Sequence, residues 1–107
     1  MRRVASVIGI LPNGITEYER LHASVWPAVL KRLSLSNMHN YSIYRHGDLL
    51  FSYLEYTGHD YDADRAAIAA DPATRRWWEL CDPLQQPLLE RASGEQWKEL
   101  PEVFHLN

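Results

Sequence analysis

The hydrophobic pattern changes period twice in the first half of the chain. Arg3 to Leu11 is apolar and β-branched, which predicts a buried first strand, and Pro12-Asn13-Gly14 then turns the chain. From Ile15 to Leu33 the period becomes helical. At about 100° per residue, Ile15, Tyr18, Val25, Trp26, Val29 and Leu33 gather on one side, with Arg20, Ser24 and Lys31 opposite. Thr16 and Glu19 have the spacing of a capping box. Pro27 lies inside this pattern and removes a backbone donor, so a kink is expected near Ala23 to Trp26. The alternative is that Pro27 ends one helix and a short second one continues.

Met38 to Arg45 reads as a second strand. Strict alternation puts His39, Tyr41 and Ile43 on one face and Asn40, Ser42 and Tyr44 on the other. His46-Gly47-Asp48 is a tight turn, and Leu49 to Tyr56 is the hairpin partner. Tyr61 to Ala70 is Ala-rich and helical. Asp71-Pro72 restarts a helix, with Asp71 as cap and Pro72 in the first turn, and that helix runs to about Cys81. Asp82 to Ser93, interrupted by Pro83 and Pro87, is expected as loop or broken helix. Gly94 to Leu100 is expected as a further helical turn and Glu102 to Leu106 as a short closing strand. The order is that of an α+β, ferredoxin-like βαββαβ sandwich, with helices on one face of an antiparallel four-stranded sheet. The other sheet face is left bare by one chain. A C2 homodimer with its two sheets facing each other would cover it.

At 107 residues the chain is expected to be a single domain spanning 1–107. Four Trp and six Tyr are more than so small a core encloses, so some belong in pockets or interfaces. The net charge of −3 argues against nucleic acid as a partner, because phosphate binding needs a basic stripe and Arg75-Arg76 is too short to form one. A single cysteine, Cys81, excludes an internal disulfide and fits a reducing, cytoplasmic setting. No apolar run reaches membrane-spanning length, so no membrane partner is expected.

The candidate chemistry lies on the first helix. His22 projects into the apolar stripe one turn after Tyr18 and one turn before Trp26. Taken alone, a lone His on such a face is more often a core residue with one satisfied hydrogen bond. Trp77 and Trp78 diverge by about 100° on their helix, so one can pack inward while the other faces a cavity. An indole suits the C–H face of a sugar, and a phenol such as Tyr41 can bond its hydroxyls. The five His have no H-x-H or H-x-x-x-H pair, so no metal site is expected. No Gly-rich phosphate loop appears, and no cofactor is expected. An imidazole among aromatics restricts the chemistry to proton transfer.

Several short motifs, taken in order, resemble the L-rhamnose mutarotase family. They are Tyr18-x-x-x-His22-x-x-x-Trp26-Pro27, His39-Asn40-Tyr41-Ser42-Ile43-Tyr44, Leu49-Leu50-Phe51, Arg76-Trp77-Trp78 and Glu102-Val103-Phe104-His105-Leu106. The resemblance spans essentially the whole chain. It implies a dimeric α+β barrel that interconverts the α and β anomers of a 6-deoxy-L-hexose, a monosaccharide substrate. It implies His22 as proton donor and Tyr18, Tyr41, Trp77 and Trp78 as sugar contacts. The segment Cys81 to Leu88, with its continuation Gly94 to Leu100, departs from the family's best-known members. It resembles a subgroup for which L-fucose is a substrate. Two other readings remain open: a cofactor-free monooxygenase or haem-degrading enzyme on the same dimeric barrel, and a non-catalytic sugar-binding module.

Overall fold

The computed structural model describes residues 1–107. Strand β1 (Arg2–Ile10) lies inside the sheet, and β3 (Leu49–Tyr56) pairs antiparallel along its whole length, from Arg2 opposite Tyr56 to Gly9 opposite Leu49. β2 (Met38–His46) pairs on the far side of β3. The β2–β3 connection is the two-residue turn Gly47-Asp48, with Gly47 at a φ of 58°, as a hairpin turn with glycine first requires. The fourth position, on the other edge of β1, is shared by two short strands. β4 (Gln85–Gln86) pairs with Gly9 and Ile10, and β5 (Lys98–Leu100) with Ala5 to Val7. At Gly9 the Gln86 carbonyl would stand 2.5 Å from any Cβ, so only glycine admits β4 there. The order β2-β3-β1-β4/β5 is the ferredoxin-like order expected for βαββαβ.

Two expectations for the last third fail. The closing strand is Lys98–Leu100, not Glu102 to Leu106, and the expected turn from Gly94 to Leu100 is not helical. Leu100 comes opposite Ala5 and Lys98 opposite Val7, so the apolar Glu102–Leu106 run lies beyond the sheet, exposed and without regular structure.

Pro27 divides the first helix rather than bending it. α1 (Ile15–His22) ends at His22, Trp26 is extended (φ −60°, ψ 134°), and α2 (Pro27–Leu35) starts on the proline. A residue before proline is pushed out of the helical region, and proline fits the first turn, where its missing N–H would be unpaired anyway. The capping box does not form. A 3-10 turn over Pro12–Gly14 leads straight into Ile15, and Glu19 instead accepts from Arg45 on β2 at 2.7 Å.

α3 (Tyr61–Ala70) is capped by Asp60, which accepts from the Ala63 N–H at 3.0 Å. α4 (Pro72–Cys81) is capped by Asp71, which accepts from both the N–H and the hydroxyl of Thr74. The inner sheet face carries Ile8, Ile10 and Leu50. These pack with Tyr18, Val29, Trp77 and Cys81 from the helices as the main core. No helix is long and apolar enough to cross a membrane.

A bulge in β2 corrects the face assignment made from strict alternation. His39 lies opposite Glu55 and Ser42 opposite Tyr53, so Asn40 and Tyr41 together oppose Leu54. Asn40 adopts a φ of 46°, a region asparagine tolerates better than most residues. Its amide donates to Glu55 Oε1 at 2.6 Å. The extra residue shifts the phase. Met38, Tyr41 and Ile43 all line the space beneath the helices, whereas His39 falls on the outer face opposite Glu55.

Candidate active site

A cavity of about 430 Å³ lies between the sheet and the helices. His22 enters it from the end of α1, Tyr41 from the bulge in β2, and Trp77 and Trp78 from α4. The remaining wall is largely aliphatic, with Val25, Val29, Leu33 and Ile68 prominent. The structure therefore brings His22, Tyr41, Trp77 and Trp78 around one space.

Tyr18 stands apart from them. It is only 3% exposed and lines no part of this cavity. Its ring stacks on the His22 imidazole with centroids 4.1 Å apart, as side chains one helical turn apart can. Its hydroxyl accepts from Gln85 Nε2 at 3.4 Å, and Gln85 Oε1 accepts from Gln96 Nε2 at 3.4 Å. Burial holds the Tyr18 phenol well above its usual pKa, so it stays protonated. In this conformation Tyr18 supports the imidazole from behind.

His22 is fixed on three sides. Tyr18 stacks on it, Trp77 meets it edge-on at 5.2 Å, and its Nδ1 lies 2.9 Å from the Tyr18 carbonyl oxygen. A carbonyl only accepts, so Nδ1 carries the proton and donates, and in the neutral ring Nε2 is left with a free lone pair. Burial lowers the His22 pKa, with the bond to the Tyr18 carbonyl opposing that shift. At neutral pH the ring is an uncharged proton acceptor that burial has not removed from the cavity.

The two tryptophans divide their work. Trp77 is 5% exposed and touches both His22 and Trp26, the latter at 5.3 Å. The broken helix thus brings Trp26 near His22 only through Trp77. Trp78, at 38% exposed, opens toward the cavity. Cys81 is buried in the core, its thiol pushed up to about 11 by that burial, which leaves it a packing residue. No group of three or more His, Cys, Asp or Glu side chains is placed to hold a metal ion.

Sequence periodicity missed Tyr61 and Arg65 of α3, which also line the cavity. Arg65 sits 5.5 Å from the Tyr61 ring centroid, an arrangement set by the α3 register with no motif of its own.

A small α+β sandwich with an imidazole held among aromatics beside a half-open, largely apolar cavity defines a class: proteins shaped to hold a small uncharged ligand. Within it, the family model of L-rhamnose mutarotase matches residues 3–106, and this chain belongs to that family. The L-rhamnose mutarotase of Opitutus terrae is 34% identical over 111 residues, covering 100% of both chains. That of Ligilactobacillus salivarius is 34% identical over 111 residues, covering 98% of this chain and 97% of its own. Among solved structures, the L-rhamnose mutarotase of Formosa agariphila superposes with a TM-score of 0.77 at 18% identity over 100% of both chains. The tetracenomycin F2 cyclase of Streptomyces glaucescens, a type-II polyketide cyclase, reaches 0.75 at 12% identity, covering 100% of this chain and 98% of its own. Similar folds thus bear different names, and the fold alone does not choose the reaction.

Proposed function

We propose that the protein is a sugar mutarotase, an isomerase that interconverts the α and β anomers of L-rhamnose, with His22 as its acid–base group. The observation that carries this reading is the His22 ring: neutral, fixed through Nδ1, with Nε2 unbonded, in a side chain that lines the cavity. Mutarotation needs only proton transfer. Nε2 takes the proton of the anomeric hydroxyl as the C1–O5 bond breaks, and O5 receives that proton to become a free hydroxyl. O1 and O5 are bonded to the same carbon, so one nitrogen serves both. The aldehyde turns about C1–C2. O5 then attacks the other face of C1 and loses its proton to Nε2, which returns it to O1. His22 is therefore proton donor in the second half of each step and acceptor in the first. General acid–base catalysis of this kind contributes about 10²- to 10⁴-fold.

Trp77 and Trp78 offer flat apolar surfaces to the C–H face of the sugar, and Tyr41 offers a hydroxyl from the opposite wall. Tyr18 orients the imidazole, and reaches the sugar only if Gln85 and Gln96 release it.

The working unit is a homodimer. Ala5, Val7, Phe51 and Tyr53 occupy the sheet face away from the helices, and Tyr44 stands 66% exposed beside them. Beyond β5, Val103 and Phe104 are 94% and 79% exposed. A lone chain buries Val7 and partly covers Ala5, Phe51 and Tyr53, but leaves Tyr44, Val103 and Phe104 exposed, and a second copy placed sheet to sheet would cover them.

Two-dimensional exchange NMR on L-rhamnose and L-fucose tests the reaction. Cross-peaks between the anomers of L-rhamnose should grow faster with protein present. Sugar binding without faster exchange would instead identify a non-catalytic sugar-binding module.

A further inference from the structure

A second cavity, of about 350 Å³, adjoins the first and shares Tyr41, Leu54, Tyr61, Arg65 and Trp78 with it. Its own walls are different in kind. Ser6 and Ser52 face each other across β1 and β3, in a layer of the sheet otherwise built from Val4, Ile8, Leu50 and Leu54. Asp82, directly after α4, and Gln96, just before β5, supply the wall above them.

The polar groups on this wall are not equally free. Glu99 is paired with Arg2 at 3.1 Å. Glu95 accepts from the backbone N–H groups of Ala92 and Glu99, holding its own loop. Gln96 uses its Nε2 on Gln85 and keeps its carbonyl oxygen unbound. Asp82 enters none of the chain's four ion pairs, and neither its carboxylate nor the two serine hydroxyls bond to another side chain. These four groups, beside Arg65 and the hydroxyls of Tyr41 and Tyr61, are thus left to bind hydroxyls in one space.

A 6-deoxy-L-hexopyranose is divided in the same way. O5, C1 and the C5 methyl form one edge, and the hydroxyls on C2, C3 and C4 form the opposite arc. His22 must reach O1 and O5. Placing them there puts the methyl group against the aliphatic wall of the first cavity and turns the hydroxyl arc into the second. We propose that the second cavity is the subsite that reads the hydroxyls on C2 to C4, with Asp82, Gln96 and the Ser6–Ser52 pair as the specificity-determining residues. This rests on the mutarotase reading. An ionised carboxylate is acceptor-only and takes two neighbouring hydroxyls at once with strengthened bonds. A sugar whose hydroxyls point elsewhere forfeits those bonds, and the partly buried Ser6 and Ser52 are then left unpaired. C6, by contrast, is read by apolar contact alone.

The test measures anomer exchange for L-rhamnose, L-fucose and L-mannose with native protein, Asp82→Asn and Gln96→Ala, each shown to be folded by its thermal melt. L-Fucose differs from L-rhamnose at C2 and C4, and L-mannose only by a hydroxyl on C6. Asp82→Asn should raise KM for L-rhamnose about 10- to 100-fold. Both variants should narrow the preference between L-rhamnose and L-fucose and leave the ratio of L-rhamnose to L-mannose unchanged. KM and preference within twofold of native in both variants would overturn the subsite while leaving the mutarotase reading intact, as would a change confined to the L-mannose ratio. Native protein that accelerates none of the three sugars overturns both together.

Discussion

At the scale of single residues, the site depends on one proton's position. The Tyr18 carbonyl can only accept, so it fixes the proton of His22 on Nδ1 and leaves the Nε2 lone pair free. Burial lowers the pKa of the ring, so the neutral form, the one the proposed mechanism uses, persists below the ordinary value of 6.5. The acid limb of kcat/KM should therefore fall below pH 6.5, and a limb found above it would contradict the assignment. The same shift affects stability. Because the folded chain prefers the neutral ring, this contribution is complete above the unfolded pKa and is lost as pH falls through the lower folded one. Tyr18 and His22 were legible in the sequence as a pair because one helical turn separates them. Tyr18's placement behind the imidazole was not, because the Gln85 and Gln96 that hold it come from the far end of the chain.

At the scale of elements, local rules served where local forces decide. Asp71-Pro72 capped and opened α4 as expected, and Gly47 turned the hairpin. Asp71→Ala should cost about 1 kcal/mol in urea denaturation, from the lost cap on the Thr74 N–H. The bulge at Asn40 was invisible to alternation, because nothing in His39-Asn40-Tyr41 announces an extra residue without its partner strand. It is nevertheless what gives Tyr41 and Met38 the same face. Asn40→Val should lose about 1–2 kcal/mol, the cost of a left-handed backbone at a branched residue, whereas Asn40→Gly should not. If Asn40→Val melts like the native chain, the bulge is not held by its backbone angle. The split fourth strand is a tertiary outcome: Lys98–Leu100 wins its place by register against Ala5 to Val7, while the more apolar Glu102–Leu106 run stays outside.

At the scale of the whole molecule, the ferredoxin-like order was legible from element order alone, and it puts every helix on one face of the sheet. The cavities lie under that face, and the opposite one is what a second copy would cover. Tyr44→Asp combined with Phe104→Asp changes only residues that a lone chain leaves exposed, at 66% and 79%. The native chain should sediment as a dimer and this variant as a folded monomer. A native monomer would contradict the dimer. The reaction itself is tested most directly by the rate of L-rhamnose anomer exchange in native protein and His22→Ala, compared by exchange NMR at equal concentration and with both shown to be folded. The account predicts acceleration by the native chain and a loss of about 10²- to 10⁴-fold in the variant. A folded His22→Ala that exchanges the anomers as fast as native protein would show that the imidazole is only a core residue, and the mechanism built on it would be wrong.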